Sequence, residues 1–207
     1  MFENTVKRLL QGEFVCEVAA DDCYRYLKQP ENRREVDAFL AKLGYSLSVT
    51  QNQLAYYAAY REIDGEARSE IRKIFQTFRI ELQPVVEWLD LMMQCEHRDV
   101  SLSPGDSISY SSLLTSIENN QALADRLQGF ARFKDFLSTD DSAKGRLEKT
   151  LKTLSQWGYL TLVSRDTLVY QVTGKLDYFY QALQFIQEHE ELPLEQQEDE
   201  AHQDSLF

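Results

Sequence analysis

The chain carries one short segment twice, and this repeat strongly limits the folds that it can adopt. GYSLSVTQNQLAY begins at Gly44 and GYLTLVSRDTLVY begins at Gly158, and the two segments align without a gap. In each copy, alternating residues flank a polar turn that contains Asn or Asp. Because side chains along a strand point to opposite faces in turn, the pattern predicts one β-hairpin in each half of the chain.

A helical pattern precedes each predicted hairpin. The apolar residues at helical spacing are Val36, Phe39, Leu40 and Leu43 before the first hairpin, and Leu147, Leu151 and Leu154 before the second. Gly44 and Gly158 then stand where a helix end favours a residue that can adopt positive φ. The repeated unit is therefore a helix, a glycine stop and a hairpin. Its order is repeated more closely than its residues, so a chance similarity between two hairpins remains an alternative.

Further elements precede each repeated unit. Two helices are predicted before the first repeated unit, at Thr5 to Leu10 and at Ala20 to Leu27. Acidic residues stand at the start of the later of these two helices. Before the later unit, Ser107 to Tyr110 reads as extended and a helix opens at Ser111 or Ser112. Three helices followed by a two-stranded wing is the order of a winged helix. The predicted fold class is α+β, mainly α, with tandem winged-helix domains joined by a helical connector.

The predicted connector covers residues 63–104. Its apolar residues keep helical spacing on both sides of Pro84, and a proline disfavours helix at the residue before it, so two helices with a break near Pro84 are expected. The segment is too apolar for a flexible linker, and it is expected to pack within the chain or against a partner. The predicted domains are the first winged helix at 1–62, the connector, the second winged helix at 105–187 and an acidic disordered tail at 188–207.

The charge is unevenly distributed along the chain. The formal net charge is −12, and eight of the 34 acidic residues lie in residues 188–207, which contain no Lys or Arg. Such a segment has little apolar surface to bury, which favours disorder. The remaining body is only mildly acidic. A chain with this balance is not expected to bind nucleic acid strongly by itself, because neutralisation of phosphates supplies most nonspecific affinity.

No combination of residues predicts catalysis or metal binding. His97 lies beside acidic residues in a predicted loop, and the other two histidines lie in the acidic tail. Three cysteines without a CxxC pair indicate neither a disulfide framework nor a zinc site. The sequence therefore predicts a protein that is not an enzyme and has no cofactor. The chain also lacks a long apolar run and a signal-peptide pattern, so no membrane association and a cytoplasmic location are expected.

The second unit offers a candidate DNA surface. On a helix from Gly145 to Trp157, Lys149 and Lys152 fall opposite the apolar stripe and Arg146 falls at its border, while Arg165 lies on the wing. In a winged helix that binds DNA, the third helix enters the major groove and the wing contacts the backbone. An ordinary solvated helix face is the alternative interpretation.

The first unit is better suited to a protein contact. Its equivalent helix carries small residues, and its second predicted strand carries three tyrosines, a composition that favours protein interfaces. The candidate residues for a dimer or partner contact are Arg34, Ala38, Ala41, Tyr56, Tyr57 and Tyr60. A homodimer through this unit is the expectation.

The whole pattern resembles a known family, the kite subunits of SMC complexes. It is most similar to MukE and MksE of the bacterial MukBEF and MksBEF condensin-like complexes. The resemblance covers roughly Thr5 to Ile186 and is carried by LLQGEFVCEVAADDCYRYL, VDAFLAKLGYSL, SYSSLLTSIENNQALADRL and GRLEKTLKTLSQWGYLTLVSRDTLVYQVTGKLDYFYQAL. It rests on pattern and order and not on an invariant motif, and it implies no catalytic residues.

The resemblance implies a set of partners. A kite dimer clasps the kleisin subunit, here MksF- or MukF-like, and the kleisin contacts the MksB- or MukB-like SMC ATPase. DNA contact within the complex, association with the nucleoid, and a role in chromosome organisation and segregation or in plasmid defence follow as expectations. Which winged helix forms the dimer and which binds the kleisin stays open. The alternative function is that of a winged-helix transcription regulator, which usually has a more basic recognition helix.

Overall fold

A computed structural model describes residues 1–189 of the 207-residue chain. The predicted tail begins at 188, but the last helix runs to His189. The rest of the predicted disordered tail lies outside the described residues.

The first unit contains three helices and three short strands. In chain order they are α1 (Phe2–Leu10), β1 (Val15–Cys16), α2 (Glu17–Lys28), α3 (Pro30–Ala41), β2 (Tyr45–Val49) and β3 (Ala55–Tyr60). Within α2, Ala20 has non-helical φ and ψ of −156° and 62°. Regular helix therefore resumes at Asp21, close to the helix start that the sequence predicts.

One long helix leads from the first unit into the second, α4 (Gly65–Cys95). The elements that follow are β4 (Ser107–Ser109), α5 (Tyr110–Glu118), α6 (Gln121–Gly129), two 3₁₀ turns (Phe130–Arg132 and Lys134–Phe136), α7 (Ala143–Gln156), β5 (Leu160–Ser164), β6 (Val169–Val172) and α8 (Lys175–His189). The chain is thus mainly helical with two small sheets, in agreement with the predicted α+β class.

The two sheets have the same connectivity. β3 lies between β1 and β2 in the first sheet, and β6 lies between β4 and β5 in the second. All of the pairs are antiparallel, and Val15 pairs with Tyr56 as Ile108 pairs with Tyr170. These two tyrosines occupy the same position in the repeated sequence. The repeat therefore extends from the hairpin to its pairing with the short strand that precedes the helices.

Local sequence explains how the two hairpins begin. Gly44 and Gly158 follow α3 and α7 with φ of +81° and +82°, a conformation that glycine adopts without a Cβ clash. In the turns, the residues with positive φ are Gln53 and Leu168 and not the neighbouring Asn52 and Asp166. In the first hairpin, Asn52 instead makes a long-range contact.

The predicted break near Pro84 is wrong, because α4 continues as one helix of 31 residues. A proline inside a helix removes one backbone hydrogen bond and costs about 3 kcal/mol. Val85 and Trp88 directly after it are completely buried in the second unit, and each such side chain contributes about 1.5–3 kcal/mol. Tertiary packing therefore outweighs the local preference for a break.

The larger core belongs to the second unit and includes the C-terminal half of α4. Val85, Trp88, Leu89 and Met92 of α4 pack in one cluster with the apolar residues of α5, α6, α7 and α8. A separate and smaller cluster fills the first unit between α1, α2, α3 and the sheet. The predicted connector is thus divided, since its C-terminal half is part of the second core.

The first unit contacts the beginning of α8 through a polar junction. Asn52, in the turn between β2 and β3, donates from Nδ2 to Asp177 Oδ1 at 2.6 Å and from its backbone N–H to Asp177 Oδ2 at 3.3 Å. The neighbouring backbone N–H of Gln51 donates to Gln181 Oε1 at 3.2 Å. Asp177 is 3% exposed, so these hydrogen bonds satisfy a buried carboxylate.

Close backbone packing and aromatic rings complete the same junction. The backbone N–H of Gly174 donates to Cys16 Sγ at 3.3 Å, and a Cβ at Gly174 would lie 2.6 Å from Ala55 Cβ. Beside it, the ring of Tyr178 lies 5.0 Å from the ring of Phe14 and 5.2 Å from that of Tyr57. Glycine at 174 is therefore required by the close approach of the two units.

Candidate interaction surfaces

The candidate DNA face lies on α7. Leu147, Leu151 and Leu154 are at most 1% exposed and face the second core, so the opposite side of the helix points outward as the spacing predicts. Lys152 is exposed and Lys149 is half-buried. The helix begins at Ser142, whose hydroxyl accepts a hydrogen bond from the backbone N–H of Gly145 at 3.0 Å.

The structure surrounds these basic residues with acidic ones. Arg146 is half-buried and pairs with Asp141 at 3.4 Å. Glu148 lies next to Lys149 and accepts a hydrogen bond from the hydroxyl of Tyr110 at 3.1 Å. Burial is the larger cause and the Glu148 carboxylate the smaller cause that raise the pKa of the Tyr110 hydroxyl to about 12. The positive potential of the α7 face is consequently reduced by neighbouring carboxylates.

Arg165 lies in the turn that follows β5 and is exposed. Its neighbour Asp166 is exposed too, while Ser164 and Thr167 share a 2.6 Å hydrogen bond that fixes the turn. α7 leads directly into this hairpin through Gly158. The structure therefore puts all four candidate DNA residues in the second unit, on one helix and the turn of the adjacent hairpin.

The candidate residues on α3 form an outward face of the first unit. Arg34 and Ala38 are exposed and Ala41 is half-buried. Two larger apolar side chains lie close by in sequence, with Phe39 37% exposed and Leu43 49% exposed. α3 therefore presents small and apolar side chains that a protein partner can cover.

The three tyrosines of β3 do not share a face with α3. Tyr56 is 5% exposed and belongs to the core of the first unit. Tyr57 is half-buried at the junction with α8, and burial raises its pKa. Tyr60 is half-buried, with its ring 4.9 Å from that of Tyr45. Period-two alternation puts Tyr56 and Tyr57 on opposite faces of the sheet, but it cannot show which part of the chain covers each face.

A buried polar cluster joins α4, α7 and α8, and the sequence contains no local signal for it. Lys175 Nζ lies 2.8 Å from Glu81 Oε2 and donates to the backbone oxygen of Trp157 at 2.7 Å. The hydroxyl of Tyr159 donates to the same Glu81 oxygen at 2.7 Å. Burial lowers the pKa of Lys175 and raises that of Tyr159. The cluster holds the start of α8 against the middle of α4.

The described residues show no metal centre or membrane helix. Within residues 1–189, no group of three or more His, Cys, Asp or Glu side chains is arranged to hold a metal ion. Cys16, Cys23 and Cys95 are buried free thiols, and burial raises the pKa of Cys95 to about 11. None of the described helices is both long enough and apolar enough to cross a membrane.

Comparison with known proteins assigns the family. No curated protein matches the chain. The family described as condensin complex protein MksE matches residues 1–184, a span that covers both units, α4 and most of α8. This match confirms the resemblance that the sequence indicates. The chain therefore belongs to the MksE family and is a subunit of a condensin complex.

Proposed function

We propose that this chain is a non-catalytic kite subunit of an MksBEF- or MukBEF-like SMC complex. In this proposal residues 1–62 and 105–187 are two winged-helix domains, and residues 63–104 connect them. The identical connectivity of the two three-stranded sheets supports this division. In each sheet, a short strand comes first, helices follow, and a hairpin supplies the other two strands. The match to the MksE family over residues 1–184 carries the proposal.

The direct partner is the kleisin, which links the chain to the SMC ATPase. The complex supports DNA organisation, chromosome segregation or plasmid defence in association with the nucleoid. The test is to purify the tagged full-length chain from its native cells and identify what accompanies it. Recovery of a kleisin and a long coiled-coil ATPase is expected. Recovery of neither would refute the proposal. A deletion strain separates the two roles, since it should lose either plasmid silencing or chromosome segregation. The family match lends no support to the alternative of a transcription regulator.

The exposed face of α3 is proposed as the contact for a second copy or for the kleisin. Ala38 is exposed near its centre, so Ala38→Arg adds a bulky charge without filling the core. Sedimentation of the chain alone and kleisin capture in the complex separate the two partners. Loss of the homodimer assigns the face to self-association, and loss of kleisin capture alone assigns it to the kleisin.

Ala131→Arg is the matched control for this experiment, because Ala131 is exposed in the second unit. It should leave both measurements unchanged. If Ala38→Arg behaves like Ala131→Arg in both measurements, the face of α3 is only solvated and the proposed contact is wrong.

Direct DNA contact is proposed through Arg146, Lys149, Lys152 and Arg165. Lys149 and Lys152 form no ion pair with any side chain that the structure describes, so they are the better pair to change. In the reconstituted complex, Lys149→Glu with Lys152→Glu should weaken DNA binding similarly for all sequences. The slope of log K against log salt should fall by about one for each phosphate that the variant no longer neutralises.

The control for DNA binding makes the same change of charge elsewhere. Lys7 and Lys134 are exposed and lie outside α7, so Lys7→Glu with Lys134→Glu tests the effect of net charge alone. Equal losses in the two double variants, or full affinity in the α7 variant, would leave the second unit as a protein-binding module without DNA contact.

A further inference from the structure

The N-terminal half of α4 contributes no buried residue to either core cluster and exposes large apolar side chains. Ile74 is 52% exposed, Phe75 62% and Ile80 63%, whereas Val85 and Trp88 further along the same helix are fully buried. Neither core cluster includes a buried residue from the first half of the helix. At 3.6 residues per turn these three side chains point in directions about 100–140° apart, so each is a separate apolar point on the exposed half of the helix.

Three arginines run along one side of this half. Arg68, Arg72 and Arg79 are exposed. With Phe75 included, the four residues follow the spacing i, i+4, i+7 and i+11 in chain order. At 3.6 residues per turn these four side chains fall within a sector of about 60°. We call these four residues the arginine row. It combines positive charge with an aromatic ring on one continuous strip of the helix.

The arginine row has no acidic partner among the side chains that the structure describes. No ion pair within that part of the chain involves any of its three arginines, although Lys73 on the same half pairs with Glu70 at 2.7 Å. The C-terminal half differs, because Glu87 and Asp90 pair with arginines of the second unit. Three guanidinium groups around the exposed ring of Phe75 suit an acidic segment that also carries apolar side chains.

The direction of α8 brings such a segment near the N-terminal half of α4. Lys175 contacts Glu81 at 2.8 Å, and four residues later the ring of Phe179 lies 5.4 Å from that of Phe78. As α8 advances, its contacts on α4 therefore move toward Gly65. The helix continues to His189, about 15 Å beyond Phe179 at 1.5 Å per residue. The end of α8 is therefore directed toward the N-terminal half of α4, on the side that carries Glu81 and Phe78, about 120° around the helix from the arginine row.

The sequence that follows has the complementary chemistry. Residues 190–207 contain seven Asp or Glu and no Lys or Arg, with Leu192, Leu194, Leu206 and Phe207 as apolar residues. An extended chain of this length spans about 60 Å, whereas the arginine row spans about 16 Å along the helix. Its reach is therefore ample, and its connection to α8 gives it a high effective concentration at the row.

We propose that the acidic segment 190–207 of this chain binds the arginine row of α4 and shields it from other acidic ligands. The exposed ring of Phe75 in the row favours this occupant over duplex DNA, whose charged backbone is repelled by a chain of net charge −12. The contact is electrostatic, so it weakens as salt is added. It does not depend on which complex the chain joins.

The full-length protein provides the first test. The three native cysteines are buried, so a spin label attaches selectively to the cysteine of a Ser205→Cys variant. At low salt the label should broaden the NMR signals of residues 65–80, and the effect should disappear at high salt. Changing Arg68, Arg72 and Arg79 to Glu should abolish it. Broadening that survives these changes, or that is absent throughout, overturns the proposal.

A peptide competition gives an independent measurement. A labelled peptide of residues 190–207 should bind a chain truncated after His189 at least about tenfold more tightly than it binds the full-length chain, whose own segment competes. The Arg→Glu variant should lose this binding. A variant with Lys7, Lys134 and Lys144 changed to Glu should keep most of it, since these exposed lysines lie outside α4.

Thermal unfolding checks that each variant remains folded. If the peptide binds all variants equally, the contact is not specific for the arginine row and the proposal fails. It also fails if the peptide does not bind while a short DNA duplex binds in a manner that requires the three arginines. In that outcome the row is a nucleic-acid contact.

Discussion

Removing the charge of Lys175 should destabilise the second unit far more than removing an exposed lysine. Lys175 and Glu81 form a 2.8 Å ion pair whose side chains are 18% and 6% exposed. In Lys175→Met the apolar part of the side chain is largely kept, but the Glu81 carboxylate stays buried with the Tyr159 hydroxyl as its remaining partner. The variant therefore isolates the consequence of an uncompensated buried charge.

The expected loss is about 3 kcal/mol. Breaking a buried ion pair by removing one partner costs about 3–5 kcal/mol. The lower end applies because Lys175 keeps some solvent exposure and Glu81 keeps one hydrogen bond. Lys175→Met combined with Glu81→Gln should lie within about 1 kcal/mol of the unchanged protein, the typical value of one hydrogen bond. The hydrogen bond that this variant cannot form is the one to the Trp157 carbonyl.

Urea unfolding followed by tryptophan fluorescence measures this effect. Both tryptophans, Trp88 and Trp157, pack in the core cluster of the second unit, so the signal reports on that unit. Lys7→Met is the matched control, because Lys7 forms a 2.6 Å ion pair with Glu3 that is 67% and 80% exposed. It should leave the urea midpoint unchanged, because solvent screens an exposed ion pair.

The reasoning is refuted if Lys175→Met is no less stable than Lys7→Met. It is also refuted if the variant with both Lys175→Met and Glu81→Gln is as unstable as Lys175→Met alone. In that case the loss would come from packing around the lysine side chain and not from the charge of Glu81.

Three further predictions concern the same unit and its junction. Gly174→Ala should destabilise the contact between the units, because the new Cβ would lie 2.6 Å from Ala55 Cβ; limited proteolysis should become faster, and a resistant variant would contradict the close approach. Cys16→Ala should cost about 1–3 kcal/mol in chemical unfolding, since the buried N–H of Gly174 loses its acceptor, and an unchanged midpoint would argue against that bond. Burial raises the pKa of Tyr159 above its ordinary value of 10.0. Above pH 10 this tyrosine therefore stays protonated in the folded chain but ionises in the unfolded chain. The free energy of unfolding should fall with pH by up to about 1.4 kcal/mol per pH unit. The lowered pKa of Lys175 makes stability rise with pH just below pH 10.5, which opposes the effect of Tyr159. In unfolding measured at several pH values, Tyr159→Phe should therefore make the loss of stability at alkaline pH shallower.

Local sequence was sufficient for features that depend on near neighbours. The alternation of the two repeated segments predicted both hairpins, and Gly44 and Gly158 adopt the positive φ that a helix end followed by a strand requires. The stripe of Leu147, Leu151 and Leu154 predicted which side of α7 is buried. These properties follow from periodicity and backbone sterics, which act over a few residues.

Tertiary structure decided the features in which local and distant forces compete. Pro84 favours a break, but the burial of Val85 and Trp88 keeps α4 continuous. Alternation puts Tyr56 and Tyr57 on opposite faces of the sheet, but only the fold shows that one face is the core of the first unit and the other contacts α8. Neither result can be predicted without knowing what covers each face.

The polar contacts between distant residues were equally invisible in the sequence. Glu81 meets Lys175, and Asn52 meets Asp177, only because α4, α8 and the first hairpin converge in space. The arginines at positions 68, 72 and 79 are spaced along one helix side in the sequence itself, but only the fold shows that this side remains uncovered. Sequence determined the elements and their amphipathic faces, and tertiary packing determined which faces became core, junction or exposed surface, because burial depends on residues far apart in the chain.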